Sequence, residues 1–432
     1  MSSFEAPSRL WSSVLPVPSR FCRARSTSPL LLACLLTSCS VKIPTAAPPE
    51  FSAGISYTNY LVPEVPWSIH VVRVSRSSDD LEFHCTHAKA AALGLSTLSE
   101  QINQMQPDLG VPMIAVNGDF YIRERAFAGD PRGLQILEGE LLSAPIGGVS
   151  FWIDPAGRPH ATNVVSLFKV TWPNGAVIPF GLNEERRTNN VMVLYTPSAG
   201  AVTRTNNGVE LVLEPANGGP WLPLQAGRTF DARVKEVRHR GKSPLTNDLM
   251  VLSIGPALRR SLPALEAGML LKICTDTAPD LRGVKTAISG GPLLVHEGGR
   301  QSWKHPAVDG PLPYAVRSMK ERHPRTALGW NDQFYYFVEV DGRQKRLSAG
   351  MTLKELANFM ISIGCQEAVN FDGGGSSMFW CNGRIVNSPC DRKERDIANA
   401  LVVLRKPQMR KEAAAVSRFQ PEAKSANIKS TP

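Results

Sequence analysis

The chain has 432 residues, 43% of them hydrophobic, with a mean hydropathy of −0.13, which describes a soluble globular protein with a sizeable core in one large domain or two ordinary ones. Its formal charge of +10 would suit a nucleic-acid partner, but residues 1–38 carry +3 (four Arg, one Glu) and residues 405–432 carry +5 (seven Lys/Arg, two Glu). The body between them holds only +2, which excludes nucleic acid as the expected partner.

Residues 1–38 read as a signal peptide. Arg20, Arg23 and Arg25 precede an apolar run, Leu30 to Leu36, that is too short to span a bilayer. Leu36-Thr37-Ser38-Cys39 resembles a lipobox, so Cys39 is the expected lipidation site; a plain secretory signal is the alternative. The expected location is an exported, membrane-anchored lipoprotein, at the outer membrane or in the periplasm. Residues 39–50, with Pro44, Pro48 and Pro49, form an extended tether. Export would leave five unmodified cysteines, and Cys381 with Cys390 is the expected disulfide. No Cys/His spacing points to zinc.

Trp67–Val74 and Leu81–Cys85 alternate as half-buried strands joined by a polar turn. Thr97 and Glu100 predict a capping box opening a helix to about Met105. Met113–Val116 is an apolar strand delivering Asn117 and Asp119 at its end. Gly133–Ile136 and Glu140–Leu142 read as a hairpin, and Val149–Ile153 as a further strand. Residues 162–271 are strand-rich, with Val191–Tyr195, Val209–Leu213 and Asp248–Ile254 clearest. The basic run 233–242 reads as a solvated edge strand rather than a substrate contact. Ser289-Gly290-Gly291 interrupts two apolar runs, Arg325 precedes a strand, and Gln333–Val340 ends at Asp341. Thr352 and Glu355 predict a second capped helix, to about Ile363. Asn382-Gly383 is a hairpin turn, Ala398–Leu404 the last strand, and 405–432 a disordered basic tail. Many strands with few helices predict an α+β fold: a strand-rich mixed sheet with a few packed helices in a single domain, 51–404.

The most informative stretch is Ala368 to Trp380, where a buried strand ends in Asp372, three glycines and two serines. Glycine loses the most freedom on folding, so such a run implies close approach or positive φ. The amides of Gly373, Gly374, Gly375, Ser376 and Ser377 could form an anion-binding nest, although a ligand-free connection also uses glycines. No Lys follows, so this is not a P-loop, and no G-x-S-x-G pattern supports a hydrolase elbow. Together with Asn117, Asp119, Gly290, Arg325, Asp341, Glu394 and Arg395, the stretch suits hydrolysis of an anionic sugar derivative. Carboxyl groups would transfer protons or attack, and arginine would hold phosphate. Each has a plainer role: Asp341-Gly342 as a hairpin turn, Asp119 as a turn cap, Arg325 as an ion pair, Glu394 and Arg395 as partners of each other.

The ordered motifs A-V-N-G-D-F-Y (115–121), I-S-G-G-P-L-L-V (288–295), H-P-R-T-A-L-G-W (323–330), V-D-G-R (340–343), S-A-G-M-T-L-K-E-L-A (348–357), V-N-F-D-G-G-G-S-S-M (369–378) and E-R-D-I-A-N-A-L (394–401) resemble the phosphodiester glycosidase family. The resemblance covers Met113 to Leu404. It implies an envelope glycosidase acting on a sugar-phosphodiester or related bond, with a glycan or glycosyl phosphate as partner. Polar positions carried over are Asn117, Arg325, Asp341, Asp372, Ser376, Ser377 and Arg395; Asp119 departs from the glycine expected there. Two other readings stand beside it. One is a non-catalytic glycan-binding lipoprotein. The other is a metal-dependent phosphodiesterase holding Ca²⁺ or Mg²⁺ through Asp119, Asp341 and Asp372.

Overall fold

A computed structural model describes residues 54–89, 92–123, 126–303 and 316–407, which lie within one compact unit, Pro48–Pro432. The expected signal peptide, Cys39, the tether and nearly all of the basic tail lie outside the described residues. Strands dominate and are antiparallel, apart from a two-residue parallel pairing of Gly181–Leu182 with Met192–Tyr195. No helix among the described residues is long and apolar enough to cross a membrane.

Two sheets hold the residues of interest. A seven-stranded sheet runs in the order Ile55–Val62, Trp67–Ser75, Phe334–Val340, Arg325–Trp330, Glu367–Asn370, Leu293–His296 and Gly299–Arg300. A five-stranded sheet runs Arg384–Ile385, Phe379–Cys381, Val111–Asn117, Ala400–Arg405 and Leu81–Cys85. Side chains alternate across a strand. Val72, Phe337, Leu328, Val369 and Phe371 therefore pack on the five-stranded sheet through Val116, Phe379 and Leu401. The opposite face, with Val71, Ala327, Val338, Val340 and Ala368, packs on the helix Leu353–Ser362 through Leu353, Leu356, Ala357 and Met360. Thr352 and Glu355 cap that helix reciprocally, as Thr97 and Glu100 cap Leu98–Asn103.

The middle segment builds an eight-stranded sheet with its own core around Trp172, Leu211, Leu252 and Ile273. A six-stranded sheet contains Ile146–Ile153 and Thr286–Ser289. Trp67–Ser75 and Leu81–Cys85 are strands joined by a turn, as expected, and each finds its partners in a different sheet. Two expectations are corrected. The basic strand Thr229–Arg238 is not an edge: it lies between Val209–Pro215 and Leu270–Cys274 and turns Arg233, Lys235 and Glu236 to solvent. Cys381 and Cys390 form no disulfide, since Cys381 points into the intersheet core while the Cys390 thiol meets Asp391. The strand Ile55–Val62, which sequence reading missed, pairs with Trp67–Ser75.

Candidate active site

Strand register brings the glycine run to Arg325. Ala327 pairs with Asn370, and the Phe371 N–H donates to the Thr326 carbonyl at 2.8 Å. Continuing that register sets Arg325 opposite Asp372, on the helix-facing side. Around them lies a cavity of about 160 Å³ lined by Phe120, His323, Arg325, Arg343, Asp372 and Gly373, among others.

Among the described residues, the half-buried Asp372 carboxyl is the only acidic group lining this cavity. Burial raises its pKa to about 6, against the opposing pull of the Ser376 hydroxyl, the Gly373 N–H, Arg395 and Arg123. It is thus poised to exchange a proton near neutrality. The Gly373 N–H donates to Asp372 Oδ1 at 2.8 Å. Arg325 is buried: Nε donates to the Met351 carbonyl at 2.8 Å, and Nη2 donates to the Ser318 and Glu321 carbonyls at 2.5 and 2.9 Å. Burial, with Arg343 nearby, lowers its pKa to about 10, so it stays cationic at neutral pH.

The glycines act differently from the nest expected of them. The N–H of Gly374 donates to the Pro324 carbonyl, and those of Ser376 and Ser377 donate to Gly373 and Gly374 within a short 3₁₀ turn. These amides are therefore already used within the protein. What the glycines permit is contact with guanidinium groups. A Cβ at Gly374, whose φ is +66°, would lie 2.9 Å from Arg343 Nη2. A Cβ at Gly375 would lie 1.8 Å from Arg395 Nη2, and one at Gly373 would lie 2.8 Å from the Pro324 carbonyl. Any larger side chain would displace the cations, which is the constraint that keeps glycine here.

Other expected site residues serve as supports. Asn117 donates from Nδ2 to the Asp372 carbonyl at 2.7 Å and accepts at Oδ1 from the Thr326 hydroxyl and the Met378 N–H. It ties the two sheets together beneath Asp372. Gly290 packs against Asn370 and Phe371, where a Cβ would lie 2.5 Å from the Asn370 carbonyl. Ser376 sits 3.4 Å from the Tyr121 hydroxyl, and the buried Ser377 hydroxyl has no hydrogen-bond partner. Glu394 accepts from the backbone and hydroxyl of Ser99, anchoring the helix Leu98–Asn103 rather than facing the cavity. Arg395 pairs with Asp391 at 2.5 Å while lying over Gly375.

The three aspartates do not form one site. Arg325 shares the helix-facing side with Ala327, whereas Asp341 follows Glu339 and Phe337 on the opposite face. Asp341 accepts from Ser68 Oγ at 2.8 Å and from the Ser388 N–H at 2.7 Å, and its Oδ2 lies 3.0 Å from His70 Nε2. Asp119 is buried and accepts from the Gly133 N–H at 2.7 Å. Burial raises its pKa to about 8, and the Asp372 charge adds to the effect. His323 and Arg343 are site residues that sequence reading passed over, although both stand in the quoted motifs. Their pairing, His323 Nδ1 to Arg343 Nη2 at 3.2 Å, needs the third dimension.

A pH test follows for Asp119. Its folded pKa lies above the unfolded value of about 4, so the native state binds the extra proton and stability falls as pH rises from about 4 to about 8. Asp119→Asn keeps an acceptor for Gly133 and removes the charge. It is expected to stabilise the protein by roughly 5 kcal/mol at pH 8 and by little at pH 4. Urea unfolding at both pH values measures this; an equal change at both would show that charge burial is not the cause.

Residues 225–404 match the sequence model of the phosphodiester glycosidase family. The chain is 36% identical over 83 residues to an SPbeta prophage-derived uncharacterized protein of Bacillus subtilis, covering 19% of this chain and 13% of that protein. It is 29% identical over 112 residues to the N-acetylglucosamine-1-phosphodiester alpha-N-acetylglucosaminidase of Bos taurus, covering 26% of this chain and 20% of that protein. These matches therefore span a fifth or less of either relative. The fold is similar to the crystal structure of a hypothetical protein from Synechocystis, with a TM-score of 0.64 at 18% identity over 83% of this chain and 64% of that one. The chain thus carries, over residues 225–404, the sequence pattern of the phosphodiester glycosidase family that its motifs resemble.

Proposed function

We propose that the protein is an envelope glycosidase that hydrolyses a glycosyl phosphodiester. The observation that carries this reading is one carboxylate of pKa about 6 in a cavity also lined by the guanidinium groups of Arg325 and Arg343. A phosphate leaving group is already a weak base, so its departure needs charge stabilisation more than a proton. Fixed cations supply that in a partly desolvated site. Asp372, ionised above pH 6, takes a proton from a water that attacks the anomeric carbon. The bond from that carbon to the phosphate oxygen breaks, and its electron pair leaves with the phosphate held by Arg325 and Arg343. Asp119, neutral at pH 7 with its raised pKa, leaves the Asp372 charge unopposed. The glycan or glycosyl-phosphate partner and the exported location follow from the same reading and from the signal-like residues 1–38.

Room for the remainder of a substrate exists beside the cavity. A groove of about 950 Å³ shares Pro292 with it and is lined by Asp130, Arg132, Glu184, Arg187 and Trp303, among others. Polar groups beside an aromatic face suit a sugar or other polyhydroxylated group. The test is hydrolysis of synthetic sugar-1-phosphodiesters set against the matched aryl glycosides. Release of a phosphomonoester, with the phosphodiester preferred by at least about tenfold, is expected if arginines hold the leaving group. Saturable binding of the phosphodiester without turnover would instead support a glycan-binding protein that keeps the fold.

A further inference from the structure

We propose that His70, Glu339 and Asp341 form a buried binding site for a divalent first-row transition cation. The site is set by strand register. His70 and Glu339 are direct partners across the antiparallel strands Trp67–Ser75 and Phe334–Val340, and Asp341 follows Glu339 by two residues on the same face. One ligand atom from each lies within 4.8 Å of the others, and all three residues are buried.

Two observations separate this cluster from an ordinary polar contact. Glu339 is fully buried, and neither carboxylate oxygen completes a hydrogen bond of normal geometry, with the Asn387 side chain as a weak donor beside it. A buried carboxylate so short of donors is costly unless an opposite charge meets it. The histidine is also oriented from behind. Tyr57 Oη lies 2.7 Å from His70 Nδ1, so a proton on Nδ1 donated to that phenol leaves the Nε2 lone pair facing Asp341. His70 Nε2 and Asp341 Oδ2 are 3.0 Å apart. Two ligands held about 2.1 Å from one ion at right to tetrahedral angles stand roughly 3.0 to 3.4 Å apart.

Two carboxylates neutralise a dication; the neutral imidazole favours zinc over calcium or magnesium, and the carboxylates also admit manganese. The cation expected from sequence at Asp119, Asp341 and Asp372 is thereby moved to a different set of ligands, with only Asp341 in common. Its place is behind the catalytic sheet face. The Ser388 N–H holds Asp341 Oδ1, and Ser388 Oγ bonds Gln344. An ion there would pin the strand Phe334–Val340 to the 387–391 loop that leads to Arg395.

The full chain, dialysed against a chelator and then re-equilibrated with Zn²⁺ or Mn²⁺, is expected to retain about one equivalent by elemental analysis. Its unfolding midpoint should rise by roughly 5 °C at saturating metal. Glu339→Gln, which keeps volume and removes the charge, should abolish both effects, and His70→Gln should do the same. No stoichiometric metal in the wild type together with an unmoved midpoint would overturn the proposal. So would equal metal retention in both variants, which would place the ion elsewhere. The wild-type measurements decide the matter even where a variant fails to fold. No arm reads turnover, so this result stands apart from the glycosidase reading.

Discussion

Replacing Asp372 by asparagine is expected to lower kcat on a glycosyl phosphodiester by roughly 10³-fold, with KM changed only a few-fold. Asparagine still accepts from the Gly373 N–H, so the loop keeps its shape while the proton acceptor is lost. The pH profile carries the sharper information. In the wild type, kcat should rise with pH through about 6 and then level off, because the base must be ionised to act. Residual activity of the variant should show no such limb. A variant with wild-type turnover, or a wild type whose limb lies near pH 4, would remove Asp372 from the reaction. The same substitution has a consequence for stability. The folded pKa exceeds the unfolded value of about 4, so Asp372 contributes stability at low pH that is lost as pH rises through 6. Asp372→Asn should therefore raise stability at pH 7 by about 1–3 kcal/mol, the lower end reflecting solvent screening of a half-buried group. Lost activity with gained stability is the signature of a charge kept for chemistry.

Arg325→Lys is expected to cost about 10²-fold in kcat/KM and about 3 kcal/mol in stability, although it conserves charge. Arg325 reaches the carbonyls of Met351, Ser318 and Glu321 through a planar fork, and a single ammonium cannot meet all three. Those bonds aim the guanidinium along the sheet face toward Asp372, so its role is set by the strand start and by the capped helix that presents Met351. Arg343→Lys provides the contrast. Arg343 lies in the cavity wall against Gly374 and His323, and its replacement should weaken phosphate binding with a much smaller loss of stability. Paired measurements of KM and thermal midpoint for the two variants distinguish the cases. Equal stability loss in both would show that the buried fork of Arg325 is not special.

The glycine run shows why the chemistry of the site was only partly legible. Three glycines after a buried strand promise close approach of something, and the sequence does not say what. An anion nest was the natural expectation, yet the turn closes on its own amides and arginine side chains occupy the space a Cβ would fill. Arg343 and Arg395 come from other segments, so their convergence is a tertiary fact. Glu394 and Asn117 went astray for a related reason. Their side chains are the right type for catalysis, but one anchors a helix and the other a strand end. Asp341 was separated from Arg325 by the alternation of a strand whose register no local pattern announces.

Local signals fared well where the physics is local. Both capping boxes, the Asn382-Gly383 turn with positive φ at each residue, and the strands flanking Asp372 were readable because hydrogen bonding and glycine sterics act over a few residues. The family resemblance was legible for the same reason, since its motifs are short and ordered. Which strands share a sheet was decided only by folding. Trp67–Ser75 and Leu81–Cys85 are adjacent in sequence and belong to different sheets, because burial of both faces outweighs the nearness of a hairpin partner. The chain's own sequence thus determined that a carboxylate would stand at a strand end beside glycines. The tertiary structure decided that cations would cover those glycines, and that burial would bring the Asp372 carboxyl to a pKa near neutrality.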